Sequence, residues 1–343
     1  MQTLSRGTIA ALLSLALAFL LFPAAVFSAE FTMKCGTPGA ATDPLTKQVE
    51  WGLKEIEKRS NGRITGRVFP ASQLGGNIQM IEQLQLGTLE CTNGAVAFLS
   101  GAYPPVTIFD LPFVFPDDPE VMRKVLKEGK SARWLLDDMQ RVGLKGLAFH
   151  TSGYKQFTTN KPVRKLEDMR GIKFRSMTSP ILLEQFKSLG ANAVPVAFAE
   201  TYSALQTGVA EGQENPYWAT HKMKFFEVQK YLIQTNHGVI ISHVLASKKW
   251  WDRLPADLGK IVREVFVDAE EVFWNESMKA DEEAIQVMKK AGLQFIKLAP
   301  EERARFRKAT EGVKNVYINR IEKGKMLLDM LEADIASFAK QGK

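Results

Sequence analysis

The chain has 343 residues, with 45 Lys and Arg against 38 Asp and Glu, 45% hydrophobic residues and two cysteines. That length provides one large or two medium domains, and a charged fraction of 24% with ordinary Gly and Pro counts excludes a disordered, collagen-like or coiled-coil protein. Two cysteines make neither a disulfide framework nor a four-cysteine zinc site, and a formal charge of +7 raises a nucleic-acid reading that depends on where the charges lie.

At the N-terminus, Arg6 precedes an apolar run from Ile9 to Phe22, broken by Ser14 and followed by Pro23 and Ala24-Ala25-Val26-Phe27-Ser28-Ala29. A basic start, a short apolar stretch and small residues beyond it read as a secretory signal peptide over 1–28, cleaved near Ser28 or Ala29. The run is too short for a membrane anchor, which needs about 20 apolar residues. Cys35 follows Met33-Lys34, which is no lipoprotein box. Cleavage removes one positive charge, Arg6. The rest alternate with acids on helical stretches such as Leu53–Arg59 and Glu301–Lys308, a pattern of solvated faces with i,i+4 pairs. No like-charge run supports nucleic-acid binding.

Phe31–Cys35 reads as a strand ending in the loop Gly36-Thr37-Pro38-Gly39. Leu45, Val49, Leu53 and Ile56 then recur at helical spacing until Asn61-Gly62. Ile64–Phe69 alternates as a strand, the loop Gln73-Leu74-Gly75-Gly76-Asn77 opens an amphipathic helix with Ile78, Ile81, Leu84 and Leu86 that Gly87 ends, and 89–92 starts a third strand. Such alternation predicts βαβ units and a parallel sheet. Phe109–Pro116 is aromatic and proline-punctuated, which excludes a regular helix; a helix over 119–141 and a strand over 146–150 complete the first unit.

A second alternation begins at Gly153, with a strand over 172–175, a helix over 180–189, an extended 194–195 and a helix over 200–208. Glu211-Gly212-Gln213-Glu214-Asn215-Pro216 reads as a polar loop, and 231–236 and 239–246 as strands. From Pro255 to about Lys290 one pattern is helical. Such a helix spans about 50 Å, longer than one domain is wide, and is expected to cross both.

Catalytic and metal motifs are thin. His150, His221, His237 and His243 show no ligand spacing, there is no Gly-x-Ser-x-Gly elbow, and Gly129-Lys130-Ser131 lacks the first Gly of a phosphate loop. No catalytic residue, metal or cofactor is expected. Cys35 and Cys91 fall on strands that can be neighbours, so an oxidising compartment accommodates either a disulfide or two buried thiols. Three places carry positive signal. Arg175 ends the strand Gly171-Ile172-Lys173-Phe174-Arg175, the end at which α/β sheets bind ligands, and a guanidinium there can grip a carboxylate with two parallel hydrogen bonds. Asn215, with Tyr217 and Trp218 just after it, offers a donor, an acceptor and aromatic walls, and Lys155 a second cation. Each also has a plain structural explanation, as a surface ion pair, a helix cap or a loop lysine.

Taken together, Gln73-Leu74-Gly75-Gly76, Asp110-Leu111-Pro112-Phe113-Val114-Phe115, Gly171-x-Lys-x-Arg175, Ala204-Leu205-Gln206-Thr207-Gly208, Gly212-Gln213-Glu214-Asn215-Pro216, Phe226–Leu232 and Thr235-Asn236-His237 resemble the solute-binding proteins of tripartite ATP-independent periplasmic (TRAP) transporters, in the family's order across nearly the whole mature chain. The resemblance implies an α/β, two-lobed periplasmic-binding-protein-like fold with a ligand cleft between the lobes and a long helix spanning both. One lobe is expected over 29–150 plus about 236–275, the other over 151–235 plus about 276–343. Arg175 matches the family's carboxylate-pairing Arg, Asn215 its ligand-contacting Asn and Phe198 its cleft aromatic. Lys155 stands where a Gly-Phe-Arg segment often supplies a second cation, and Asn77 where many relatives have an acid.

The implied function is a periplasmic, monomeric receptor that closes on an organic carboxylate and delivers it to the small and large membrane permease subunits. Lys155 in place of Arg weakens a C4-dicarboxylate assignment, and Tyr217 and Trp218 suit a monocarboxylate with a bulky or aromatic body; a sugar acid is the third candidate. The alternatives are an exported two-lobed isomerase or lyase acting on a carboxylic acid, which needs an acid or base poised in the cleft, and a purely structural secreted protein.

Overall fold

A computed structural model describes residues 29–341; the expected signal peptide lies outside them. Two sheets organise the chain. The first has the order β2-β1-β3-β10-β4, from Ile64–Phe69 (β2), Phe31–Gly36 (β1), Cys91–Ala95 (β3), Val239–Ser247 (β10) and Leu144–Tyr154 (β4). β1 runs parallel to β2 and β3, while β10 is antiparallel to both β3 and β4. The second sheet has the order β11-β9-β5-β8-β6-β7, from Gln294–Lys297 (β11), Tyr231–Gln234 (β9), Gln156–Thr159 (β5), Gly212–Asn215 (β8), Lys173–Ser176 (β6) and Asn192–Pro195 (β7).

The strands expected from alternation form at or near their expected places. One segment does not follow its pattern: Gly212–Asn215, expected as a polar loop, is a central strand, antiparallel to β5 and beside β6. Gly-Gln-Glu-Asn has no apolar alternation to announce a strand. It tolerates burial because its side chains are satisfied by neighbours: Gln213 donates to Thr158 Oγ1 at 2.9 Å and Asn215 to Gln213 Oε1 at 2.5 Å. Gly212 is forced by space, since a Cβ there would lie 2.7 Å from the Phe174 ring.

A second correction concerns 119–141, which is two helices, Pro119–Glu128 and Lys130–Asp138, followed by a 3-10 turn. Gly129 between them is extended, and the second helix is entered by Asp334, whose Oδ2 accepts from the Ser131 N–H at 2.8 Å and the Ser131 hydroxyl at 2.7 Å. That carboxylate neutralises donors left open at a helix start. It comes from the C-terminal helix Gly324–Gln341, whose Leu327, Leu328 and Leu331 lie in one buried cluster with Leu126, Leu135 and Phe149 of the first lobe. The division that placed 276–343 wholly in the second lobe therefore does not describe this helix. An apolar stripe seeks the nearest uncovered apolar face, and linear position does not identify that face.

The cysteines form a disulfide, Cys35–Cys91, between paired positions of β1 and β3, which decides between the two alternatives left open.

The two sheets are joined by crossing strands. β4 passes into β5 through the single residue Lys155, and β9 returns into β10 through 235–238, with the Lys155 N–H donating to Gly238 O at 2.8 Å. Phe113, in the left-handed region at φ 52°, donates its N–H to His237 O and inserts its ring into the second lobe's core beside Phe157 and Phe174. Along the back runs the expected long helix, Ala256–Lys290. Its first half buries Leu258, Val262, Val265 and Phe266 in the first lobe's core; Ala280, Ala284 and Met288 further along pack against Trp218 and Leu232 of the second.

Candidate functional site

Between the lobes lies a cavity of about 50 Å³. Asp43, Asn77, Phe98 and Ser152 line it from the first lobe, and Met177, Phe198, Asn215 and Trp218 from the second. It continues into a groove of about 360 Å³ lined by Asn77, Phe98, Thr178, Val196 and Phe198. The cleft walls are mainly apolar, with a few buried polar atoms. Asp43 Oδ1, Asn77 Oδ1, Ser152 Oγ and Trp218 Nε1 are buried and have no hydrogen-bond partner in the protein.

Arg175 stands behind this wall. β6 carries it in register with Val194, and burial leaves it 1% exposed. Nε donates to Val196 O at 3.0 Å, and the guanidinium lies 6.0 Å from the centre of the Phe98 ring. Nη2 is buried without a protein partner. Burial pushes the guanidinium pKa down to about 10, against the pull of Glu214; Arg175 is still a cation at neutral pH. A buried cation with an open hydrogen-bonding edge is costly unless an anion completes it.

Lys155, expected as a second cation for the ligand with a loop lysine as the plain alternative, is buried in an ion pair within the protein. It is 1% exposed, and Nζ donates to Glu214 Oε1 at 2.8 Å. Gly238 leaves room for this course, since a Cβ there would meet the lysine stem. Glu214 is the centre of a buried network: its Oε2 also accepts from Gln185 Nε2 at 2.9 Å and lies 2.7 Å from His237 Nε2. Burial raises the Glu214 pKa, but Lys155 and His237 outweigh that and hold the carboxyl well below its usual range. Burial pushes the His237 imidazole down to about 4 despite Glu214. Lys155 is thus ion-paired with Glu214 at the crossing from β4 into β5.

Of the other expected site residues, Asn215, Phe198, Asn77 and Trp218 meet at the cavity. Tyr217 turns away from it: its hydroxyl accepts from Gln234 Nε2 at 2.9 Å and its ring stacks on Phe295. Successive residues of a short helix face different directions, and only Trp218 of the pair faces the cleft. The sequence reading missed Asp43, Phe98, Met177 and Glu214. Glu214 lies inside the Gly212-Gln213-Glu214-Asn215-Pro216 motif, whereas Asp43 reads only as a helix start before Pro44. Among the described residues no cluster of three or more His, Cys, Asp or Glu could hold a metal, and no helix is long and apolar enough to cross a membrane.

The profile of the DctP family, bacterial extracellular solute-binding protein family 7, matches residues 35–320. The chain belongs to this family. This family 7 protein is 35% identical over 302 residues to a C4-dicarboxylate-binding periplasmic protein DctP of Vibrio cholerae, covering 86% of this chain and 88% of the relative. Its fold matches a TRAP periplasmic solute-binding protein of Desulfovibrio salexigens with bound orotic acid, at a TM-score of 0.87 and 36% identity, over 90% of this chain and 99% of that one. It also matches a TRAP solute-binding protein of Sulfurospirillum deleyianum with bound succinate, at 0.81 and 32% identity, over 89% and 99%. These relatives are solute-binding proteins and not enzymes, and the two-lobed α/β architecture expected from the motifs is the one found.

Proposed function

We propose that this protein is the extracytoplasmic receptor of a TRAP transporter, exported by the segment 1–28, which binds a small organic carboxylate between its lobes and delivers it as a monomer to the membrane permease subunits. The observation that carries the reading is Arg175: a buried guanidinium behind an interlobe cleft, with Nη2 lacking any partner from the protein. A ligand carboxylate would complete it with charge-assisted bonds in a site of low dielectric. In the same reading, Asn215 and Asn77 hydrogen-bond the ligand, and Phe198 and Trp218 flank its body. Lys155 serves through Glu214 as part of the hinge, and Tyr217 supports the neighbouring wall.

Ligand binding would hold the lobes together, because only the closed arrangement presents both walls at once. The relatives' ligands (C4-dicarboxylates, succinate and orotic acid) support a carboxylate in general. Lys155 is already paired, which favours a single carboxylate on a bulkier body. We assign the first lobe to 29–154, 239 to about 275 and the C-terminal helix, and the second to the segments between.

A thermal-shift screen of organic, amino and sugar acids tests the receptor reading. A ligand at 100 times its dissociation constant adds about 2.7 kcal/mol of stability, so at least one carboxylate should raise the melting temperature clearly. No shift with any of them contradicts the proposal.

A further inference from the structure

The cleft wall of the first lobe offers acceptors. Asp43 is 1% exposed and lines the cavity. Its Oδ2 accepts from the Ala40 N–H at 2.8 Å, but Oδ1 is buried with no partner. Although it heads the helix Pro44–Arg59, its side chain makes no capping bond to it. Asn77 adds a second bare acceptor: Oδ1 is buried and unpartnered, packed where Gly94 leaves no space for a Cβ. Asp43 lines the cavity beside Phe98 and Ser152, with Met177, Phe198, Asn215 and Trp218 on the opposite lobe, while Asn77 Oδ1 packs against Gly94 at its edge.

We propose that the ligand is a carboxylate that also carries a hydrogen-bond donor, an N–H or O–H, which Asp43 accepts, and that Asp43 excludes plain dicarboxylates. The inference rests on the receptor reading and narrows its ligand class. Arg175 provides one cationic grip, sufficient for one carboxylate, while Lys155 is taken by Glu214. A second carboxylate directed at the other wall would meet the carboxyl of Asp43. Like charges would face each other, and buried acceptors would stay unpaired. An N–H or O–H at the same place satisfies Asp43 Oδ1 and discriminates strongly, because a site built to bond a donor rejects analogues that lack it. Burial pushes the Asp43 carboxyl up from its usual range, and a donated ligand proton would draw it back.

The test is calorimetry on the full mature protein with four probes. Orotate and galacturonate are carboxylates with donors; succinate and benzoate have none. At least one of the first pair should bind, at least about 10-fold tighter than either of the second. Asp43→Asn should weaken that probe by about 10- to 100-fold, the range of one hydrogen bond to a charged group, and should narrow the gap to succinate. Tighter binding of succinate or benzoate, or no binding by either donor-bearing probe, overturns the inference, and so does a folded Asp43→Asn protein that keeps the wild-type ranking. The wild-type ranking decides alone if the variant does not fold. Arg175→Ala separates the two levels: loss of all binding retains the receptor reading whatever Asp43 does, whereas intact binding removes that reading itself.

Discussion

Glu214 accepts from Lys155 and Gln185 and lies against His237, in a strand where all four residues are buried. Removing its charge leaves the Lys155 ammonium buried and unpaired. Breaking one partner of such a pair typically costs about 3–5 kcal/mol. Glu214→Gln is therefore expected to lower unfolding stability by that order in urea titrations, and a loss below about 1 kcal/mol would contradict the network described here. Asp110 gives a pH signature of the opposite kind. Burial pushes its carboxyl up to about 7 from an ordinary 3.8, and Oδ2 has no hydrogen-bond partner. The folded state therefore holds a proton that the unfolded chain releases, so this carboxyl opposes folding increasingly as pH rises from about 4 to about 7. Asp110→Asn should gain stability relative to wild type across that window and hold a constant gain above it, as read from melting temperatures at stepped pH. A gain that shrinks with rising pH would refute the assignment. Arg175, Asn215 and Trp218 were legible as candidates because a cation, an amide and an aromatic at a strand end suggest a ligand. Asp43 was not, since an Asp before Pro is what any helix start shows.

Elements were legible where apolar spacing decides them and hidden where polar side chains pay the cost of burial. The helix Pro44–Arg59 and the strands β1 and β2 follow their periodicity. β8 does not, because its stability comes from side-chain partners supplied by distant residues such as Thr158 and Lys155. The pairing of β1 with β3 brings Cys35 and Cys91 into register and allows the disulfide, which spacing could leave only as an alternative to two thiols. It closes a loop with a sequence separation of 56. Replacing both cysteines with alanine should lower stability by about 2–4 kcal/mol, chiefly by freeing the unfolded chain. Denaturant midpoints unchanged by the double substitution, or by a reductant, would show that the link is dispensable.

At the scale of the whole molecule, two crossings between the sheets and one continuous helix join lobes that face each other across the cleft. The long helix was legible from its uninterrupted pattern. The return of Gly324–Gln341 to the first lobe was not, because it depends on which apolar surface the rest of the fold leaves uncovered. The receptor account requires that a carboxylate bridge this cleft through Arg175. Calorimetry of wild type and Arg175→Ala, with the acid that raises the wild-type melting temperature most, tests that claim most directly. The expected result is stoichiometric retention by wild type and a loss of about 3–5 kcal/mol in the variant, roughly two to three and a half decades in dissociation constant. Equal affinity in a folded variant would contradict the account.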